Sequence, residues 1–144
     1  MKTVSDIFTR KGSSTISVSS NTNVFQALKI MSDHNIGSVV IMDDTVYLGL
    51  FTERDYARKV ILHGKNSNEL TVIEIMSASL PRIEISTTLD ECMQIMTSHN
   101  LRYLPVFESQ RYIGVISIID VVKETITQQQ QTIENLQSYI HFAG

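Results

Sequence analysis

Along this chain apolar residues follow two rhythms, and each rhythm occurs twice. Val24, Ala27, Leu28 and Met31 stand at helical steps, as do Leu89, Cys92, Met93 and Met96, the spacing that lines up one face of an amphipathic helix. After each come two short apolar runs, Ser38–Met42 with Val46–Phe51 and Tyr103–Phe107 with Tyr112–Ile116. Runs of that length, parted by a few polar residues, predict strand pairs closed by hairpin loops. A second helix is expected from Glu53 to about His63, and its counterpart from Ile118 onward. The polar stretch Gly64–Leu70 links the halves. Ahead of each copy lies a short apolar signal, Val4-x-x-Ile7-Phe8 and Val72-x-x-Ile75-Met76, which predicts a helical lead-in.

The two sets are one unit repeated. At an offset of about 65 residues, Val18–Ile61 matches Ile83–Ile126 without a gap. Identical pairs include Met31 with Met96, His34-Asn35 with His99-Asn100, Tyr47 with Tyr112, Gly49 with Gly114 and Asp55 with Asp120. Identity is only about one in five, so the hydrophobic pattern carries the match. A single βαββα unit leaves an apolar face uncovered, and a second unit packed on it closes that face. The expected fold is α+β: two βαββα repeats packed with pseudo-twofold symmetry, followed by a C-terminal helix. The boundaries read from the repeat are 1–64 for the first copy with its lead-in, 65–126 for the second and 127–144 for the last helix. That helix sets Ile126, Ile133, Leu136 and Ile140 at three- and four-residue steps around the polar run Gln128–Gln131. It reads either as an arm folded on its own body or as a dimer or partner contact.

Composition narrows the classes. A chain of 144 residues, 42% hydrophobic and 19% charged, has the make-up of one folded body rather than a disordered tail. No window holds the roughly 18 consecutive apolar residues of a membrane span, and Met1-Lys2-Thr3-Val4-Ser5-Asp6 does not lead into a secretion signal, so the cytoplasm is the expected compartment. Cys92 lies on an apolar helical stripe beside Met93 and Met96, the position of a buried thiol. Net charge is −3 with Lys and Arg dispersed, which argues against a nucleic-acid partner. A small phosphorylated ligand needs only a few positive groups at one point and stays open.

The sharpest local feature is Gly49-Leu50-Phe51-Thr52-Glu53-Arg54-Asp55, matched by Gly114-Val115-Ile116-Ser117-Ile118-Ile119-Asp120. Both read Gly, two apolar residues, a hydroxyl, two variable residues and Asp, at a strand-to-helix turn. A hydroxyl followed three residues later by an acid is a helix-capping pair, worth about 1 kcal/mol. The same turn can hold a ligand: a helix N-terminus suits phosphate, and a carboxylate has two acceptor oxygens for the hydroxyls of a ribose. Its occurrence at equivalent places in both copies favours the ligand reading. Arg54 lies inside the first motif with Arg58 one turn on, whereas the second holds Ile118 and Ile119 with Lys123 beyond. More phosphate is therefore expected at the first.

Two βαββα repeats, each closing its hairpin with this motif, resemble a tandem pair of cystathionine β-synthase (CBS) domains, a Bateman module, over residues 1–126. The resemblance implies a regulatory module that senses energy state or a metabolite by binding AMP, ADP, ATP or a related adenosyl ligand. It places Thr52 and Asp55 in one site with Arg54, Leu101-Arg102-Tyr103 and the stretch around Pro81-Arg82. It places Ser117 and Asp120 in the other with Ile36-Gly37-Ser38 and the stretch around Thr15-Ile16. It also implies a homodimer forming a disc of four repeats, with a regulated protein partner left unnamed. No cofactor is required beyond the adenine nucleotide itself, with or without Mg. His34 and His99 recur before Asn35 and Asn100 at a helix end, where a cap is commoner than a metal pair. No nucleophile with a base and no zinc-like spacing is evident, so no catalytic role is expected. The alternative is a non-binding structural or interaction subunit whose motifs serve only as caps.

Overall fold

The computed structural model describes residues 1–13 and 15–143; Gly144, the end of the expected last helix, lies outside them. The chain forms two compact units, one made of Ser14–Leu80 and the other of Met1–Ser13 with Pro81–Gly144. In chain order the elements are α1 (Val4–Lys11), β1 (Ser17–Val18), α2 (Val24–His34), β2 (Ser38–Asp43), β3 (Val46–Thr52), α3 (Glu53–Asp55), α4 (Val72–Ile75), β4 (Ile83–Glu84), α5 (Leu89–His99), β5 (Tyr103–Glu108), β6 (Arg111–Ser117) and α6 (Ile118–Ala143). A π-helical turn, Tyr56–Val60, and a 3-10 turn, Ile61–His63, continue α3. None of the described helices is long and apolar enough to cross a membrane.

Each unit holds a three-stranded sheet, in the orders β1-β2-β3 and β4-β5-β6. The registers repeat at the sequence offset: Val18 pairs with Ile41 as Ile83 pairs with Val106, both parallel. Ser38 pairs with Thr52 as Tyr103 pairs with Ser117, both antiparallel. The hairpins turn through left-handed residues, Asp44 in one and Ser109-Gln110 in the other; aspartate tolerates that region better than bulkier side chains. The α+β fold and the last helix are as the periodicity implied. Each predicted strand is met within a residue.

The lead-ins pack in a way the sequence boundaries did not express. Val4, Ile7 and Phe8 of α1 are buried with Leu89, Cys92, Met96, Leu104 and Ile116 of the second copy. Val72 and Ile75 of α4 are buried with Val24, Met31, Ile41 and Phe51 of the first. The bridges have one design: Thr3, before α1, pairs with Thr88, before α5, and Thr71, before α4, pairs with Asn23, before α2. The helix preceding the first copy thus belongs in space to the second unit. A strand pair and helix of one copy present an apolar groove, and a short helix of either sequence origin fills it.

The helix ends follow local rules. Asn23 and Thr88 cap α2 and α5, accepting from Gln26 and Glu91 N–H at 2.8 and 3.2 Å. Asn35 and Asn100 close the same helices in the left-handed region, as C-terminal caps do. His34 and His99 place Nδ1 at 3.0 and 3.1 Å from the Ile30 and Ile95 carbonyls, so both rings are engaged in helix termination. Cys92 is fully buried. Burial, with the Glu91 charge, pushes its thiol up to about 11.

Candidate functional site

Both strand-to-helix motifs fold as capping boxes. In the first, the Thr52 N–H and Oγ1 each donate to Asp55 Oδ2 at 3.0 Å, while the Asp55 N–H donates back to Thr52 Oγ1 at 3.1 Å. In the second, the Ser117 N–H donates to Asp120 Oδ2 at 2.8 Å and the Asp120 N–H to Ser117 Oγ at 3.1 Å. The hydroxyl and acid three residues apart each satisfy an end N–H of the other, which is why this spacing starts a helix. In both copies the first helical N–H is spent on the residue before the second strand. The Glu53 N–H donates to the Gly37 carbonyl at 3.1 Å, and that of Ile118 to the Arg102 carbonyl at 2.8 Å.

Beyond the box the two copies diverge. Asp55 is loaded at both oxygens: Oδ1 accepts from Ser77 Oγ at 2.8 Å and pairs with Lys59 Nζ at 3.0 Å. Its side chain is 8% exposed. For Asp120, hydrogen bonds from the described residues reach only Oδ2, which accepts from Lys11 Nζ at 2.8 Å as well as from Ser117. Its side chain is 16% exposed. Burial pushes the Asp120 carboxyl up, but the Lys11 ammonium and the Ser117 donors outweigh it and hold the group below its ordinary value. Lys11 also donates to the Val115 carbonyl at 3.2 Å, which fixes its ammonium at the mouth of this turn.

The supporting chain is alike in plan. A residue at or just past the end of the lead-in helix reaches each acid, Ser77 after α4 and Lys11 at the end of α1. The glycine that opens each motif makes room for that segment. A Cβ at Gly49 would lie 2.6 Å from the Ser77 carbonyl oxygen, and one at Gly114 would lie 3.0 Å from Phe8 Cζ and 3.2 Å from the Ser13 carbonyl oxygen. Leu50 and Ser77 exchange both backbone hydrogen bonds, at 3.0 and 2.8 Å, which locks the first approach. Glu124, one turn after Asp120, is buried and binds Arg10 Nε at 3.0 Å and Lys2 Nζ at 3.6 Å, fastening α1 to α6. At the equivalent position the first copy has Lys59.

The other expected residues fall within the same two units. Gly37 and Ser38 neighbour the first motif through the Glu53 bond and the Ser38–Thr52 pairing, with Ile36 half-buried beside them. Arg102 and Tyr103 neighbour the second in the same manner. Ile16 is half-buried and its carbonyl accepts from the Val40 N–H at 3.1 Å; Thr15 is exposed. Arg82 lies over the Phe107 ring at 4.5 Å, a cation–π contact. Arg54 is half-buried, and Arg58 and Lys123 are exposed. Lys59 and Lys11 pair with the motif acids, and neither was singled out from sequence. Lys59 could have been found, since it stands four residues after Asp55 on one helical face. Lys11 and Ser77 arrive from remote segments and carry no periodic signal.

Duplicated sheet units, each closed by the same strand-to-helix turn, define a tandem repeat of one domain. The CBS domain family model matches residues 4–62 and 72–126. The chain belongs to the CBS domain family and carries two copies of the domain. It is 32% identical over 147 residues to the CBS domain-containing protein CBSX3, mitochondrial, of Arabidopsis thaliana, covering 96% of this chain and 71% of that protein. A solved structure with CBS domains from Burkholderia ambifaria MC40-6 is 40% identical, with a TM-score of 0.83 over 89% of this chain and 96% of that one. Hypoxic Response Protein I is 26% identical, with a TM-score of 0.71 over 86% of this chain and 99% of that one; its structure contains two coordinated zinc ions. In this chain no group of three or more His, Cys, Asp or Glu comes together among the described residues. Proteins built on such pairs are typically regulatory rather than catalytic, and their solved structures include oligomers.

Proposed function

We propose that this protein is a regulatory module that binds an adenosine-containing ligand, AMP, ADP, ATP or an adenosyl relative, chiefly at the Ser117–Asp120 turn. The observation that carries the reading is the half-engaged Asp120 carboxylate beside Lys11. Its Oδ1, which accepts no hydrogen bond from the described residues, can accept a ribose hydroxyl, and the fixed ammonium can meet a phosphate. The Lys11 cation, more than an open row of N–H groups, is what the turn offers an anion, because the Ile118 N–H is already spent. Thr52–Asp55 is the weaker site, since a ribose there must displace Ser77 or Lys59 from Asp55. Ligand binding shifts the population of conformations by its difference in affinity between them, and a protein partner reads the shift.

A second reading, a structural or interaction subunit, is favoured by the complete internal satisfaction of Asp55. A thermal-shift screen of folded, nucleotide-free protein against adenosine-containing ligands separates the two. A ligand selective for the native state stabilises it by RT ln(1 + [L]/Kd), about 2.7 kcal/mol at 100 Kd. A rise with one such ligand supports the sensor; no rise with any supports the interaction subunit.

A further inference from the structure

Helix α6 has two faces with different fates. Val121 and Glu124 are buried against its own unit, Gln128 is the last half-buried position, and every residue from Gln129 to Ile140 is exposed. On the outer face Ile119, Val122, Ile126, Ile133, Leu136 and Ile140 are 60, 41, 52, 53, 57 and 67% exposed. Single exposed apolar residues are ordinary, but a contiguous line of six along one helix marks a surface built to be covered. Their steps are three, four, seven, three and four, and Gln129 completes the seven. The line is therefore a heptad seam, with isoleucine at all four a positions and Val122, Gln129 and Leu136 at d. A strict seven-residue repeat follows another helix wound around it, whereas packing on a straight globular surface keeps the 3.6-residue period.

The identity of the covering helix can be argued from three features. Isoleucine at all four a positions, with leucine at d in the heptad of Leu136, fits two parallel strands, since β-branched residues at a favour that state. The flanking e and g positions from Thr125 onward are Thr125, Gln130, Thr132, Gln137 and Tyr139, and the only charge between Thr125 and Ile140 is Glu134, at b. Two parallel copies therefore set Thr125 against Gln130 and Thr132 against Gln137, with no like charges meeting across the seam. Gln129 is the third feature. A polar side chain in an apolar seam is costly unless it meets a polar partner at the same height, and an in-register parallel copy supplies the Gln129 of its own sequence.

We propose that the outer face of α6, from Ile119 to Ile140, forms a parallel, in-register, two-stranded coiled coil with a second copy of this chain. The test is the sedimentation of the full chain over a range of concentrations, beside the double variant Ile133→Glu/Leu136→Glu, together with oxidative cross-linking of Gln129→Cys and Gln131→Cys. Because the native Cys92 is buried, the introduced thiol is the one that reacts. The expected result is a dimer whose dissociation constant rises at least about tenfold in the double variant, with melting of the units unchanged. Cross-linking is expected at position 129, on the seam, and not at 131, on the opposite face. A monomeric wild type, leaving the face to an unlike partner, would overturn the proposal, as would a dimer indifferent to the two glutamates or preferential cross-linking at 131. Should the glutamate variant misfold, the cysteine pair still decides between the outcomes.

Discussion

The turns at Thr52–Asp55 and Ser117–Asp120 are the same motif on the same scaffold, yet the surroundings of their two acids differ. Asp55 is almost wholly buried, and each of its oxygens is engaged, by Thr52 on one side and by Ser77 and Lys59 on the other. Among the described residues Asp120 has one oxygen engaged, and a fixed lysine stands beside it. The continuing helices differ too. The first passes at once into π-helical and 3-10 turns, whereas α6 runs unbroken for 26 residues. A long regular helix keeps its aligned dipole behind the turn. Duplication supplies two candidate sites, and a few substitutions around them give their acids different partners.

The sharpest way to break this contrast is at the paired glycines. Gly49→Ala drives a Cβ into the Ser77 backbone at 2.6 Å, where nothing flexible can yield, while Gly114→Ala chiefly meets the Phe8 ring at 3.0 Å. Chemical denaturation should show Gly49→Ala costing about 3 kcal/mol and Gly114→Ala about 1 kcal/mol. Equal losses would mean that the two approaches are equally tight.

The acids come next. Asp55→Ala strips a buried partner from Lys59 and Ser77 and removes a cap, so it should lower stability by about 2 kcal/mol. Asp120→Ala, losing mainly a cap, should cost about 1 kcal/mol. The order should reverse for ligand affinity. A parallel fall in both properties at one site would merge the two roles proposed for the turns.

A smaller effect lies in the acid limb of stability. The folded-state pKa of Asp120 lies below its ordinary 3.8. Its contribution is therefore complete above that value and is lost as pH falls through the lower folded value. Melting followed from pH 5 to 3 should decline less steeply in Lys11→Met, which removes part of the depression. A decline as steep as in the wild type would exclude Lys11 as its source. Smallest of all, Cys92 should resist thiol reagents under native conditions, because its pKa near 11 and full burial leave little accessible thiolate. Fast labelling would show that α5 opens readily.

Much of this architecture was legible in the chain. The strands carry dense apolar runs, and their ends agree with the hairpin residues to within a residue. The early helices declare themselves by a 3.6-residue period. The first strand of each unit, Ser17–Val18 and Ile83–Glu84, is too short for a period and was approached only through the segments around Thr15 and Pro81. The crossing of the lead-ins was not legible at all. Val4, Ile7 and Phe8 predict a buried face, but which groove receives it is a question of space rather than of sequence neighbourhood. The same limit hid Lys11 and Ser77. Charge within the motif drew attention to Arg54 and Arg58, yet Asp55 and Asp120 are held by a lysine one turn on and by side chains delivered by the segments before each strand pair. The Thr/Ser–Asp pairs were visible because capping and ligand binding use the same spacing; the state of each carboxylate needed coordinates.

The most direct test is calorimetric titration of folded, nucleotide-free protein with the adenosine ligand that gives the largest thermal shift, performed on the wild type, Asp55→Asn and Asp120→Asn. Binding should weaken at least about tenfold in Asp120→Asn and stay within about threefold of the wild type in Asp55→Asn. The opposite order, or no heat from any adenosine-containing ligand, would contradict Ser117–Asp120 as the principal binding turn.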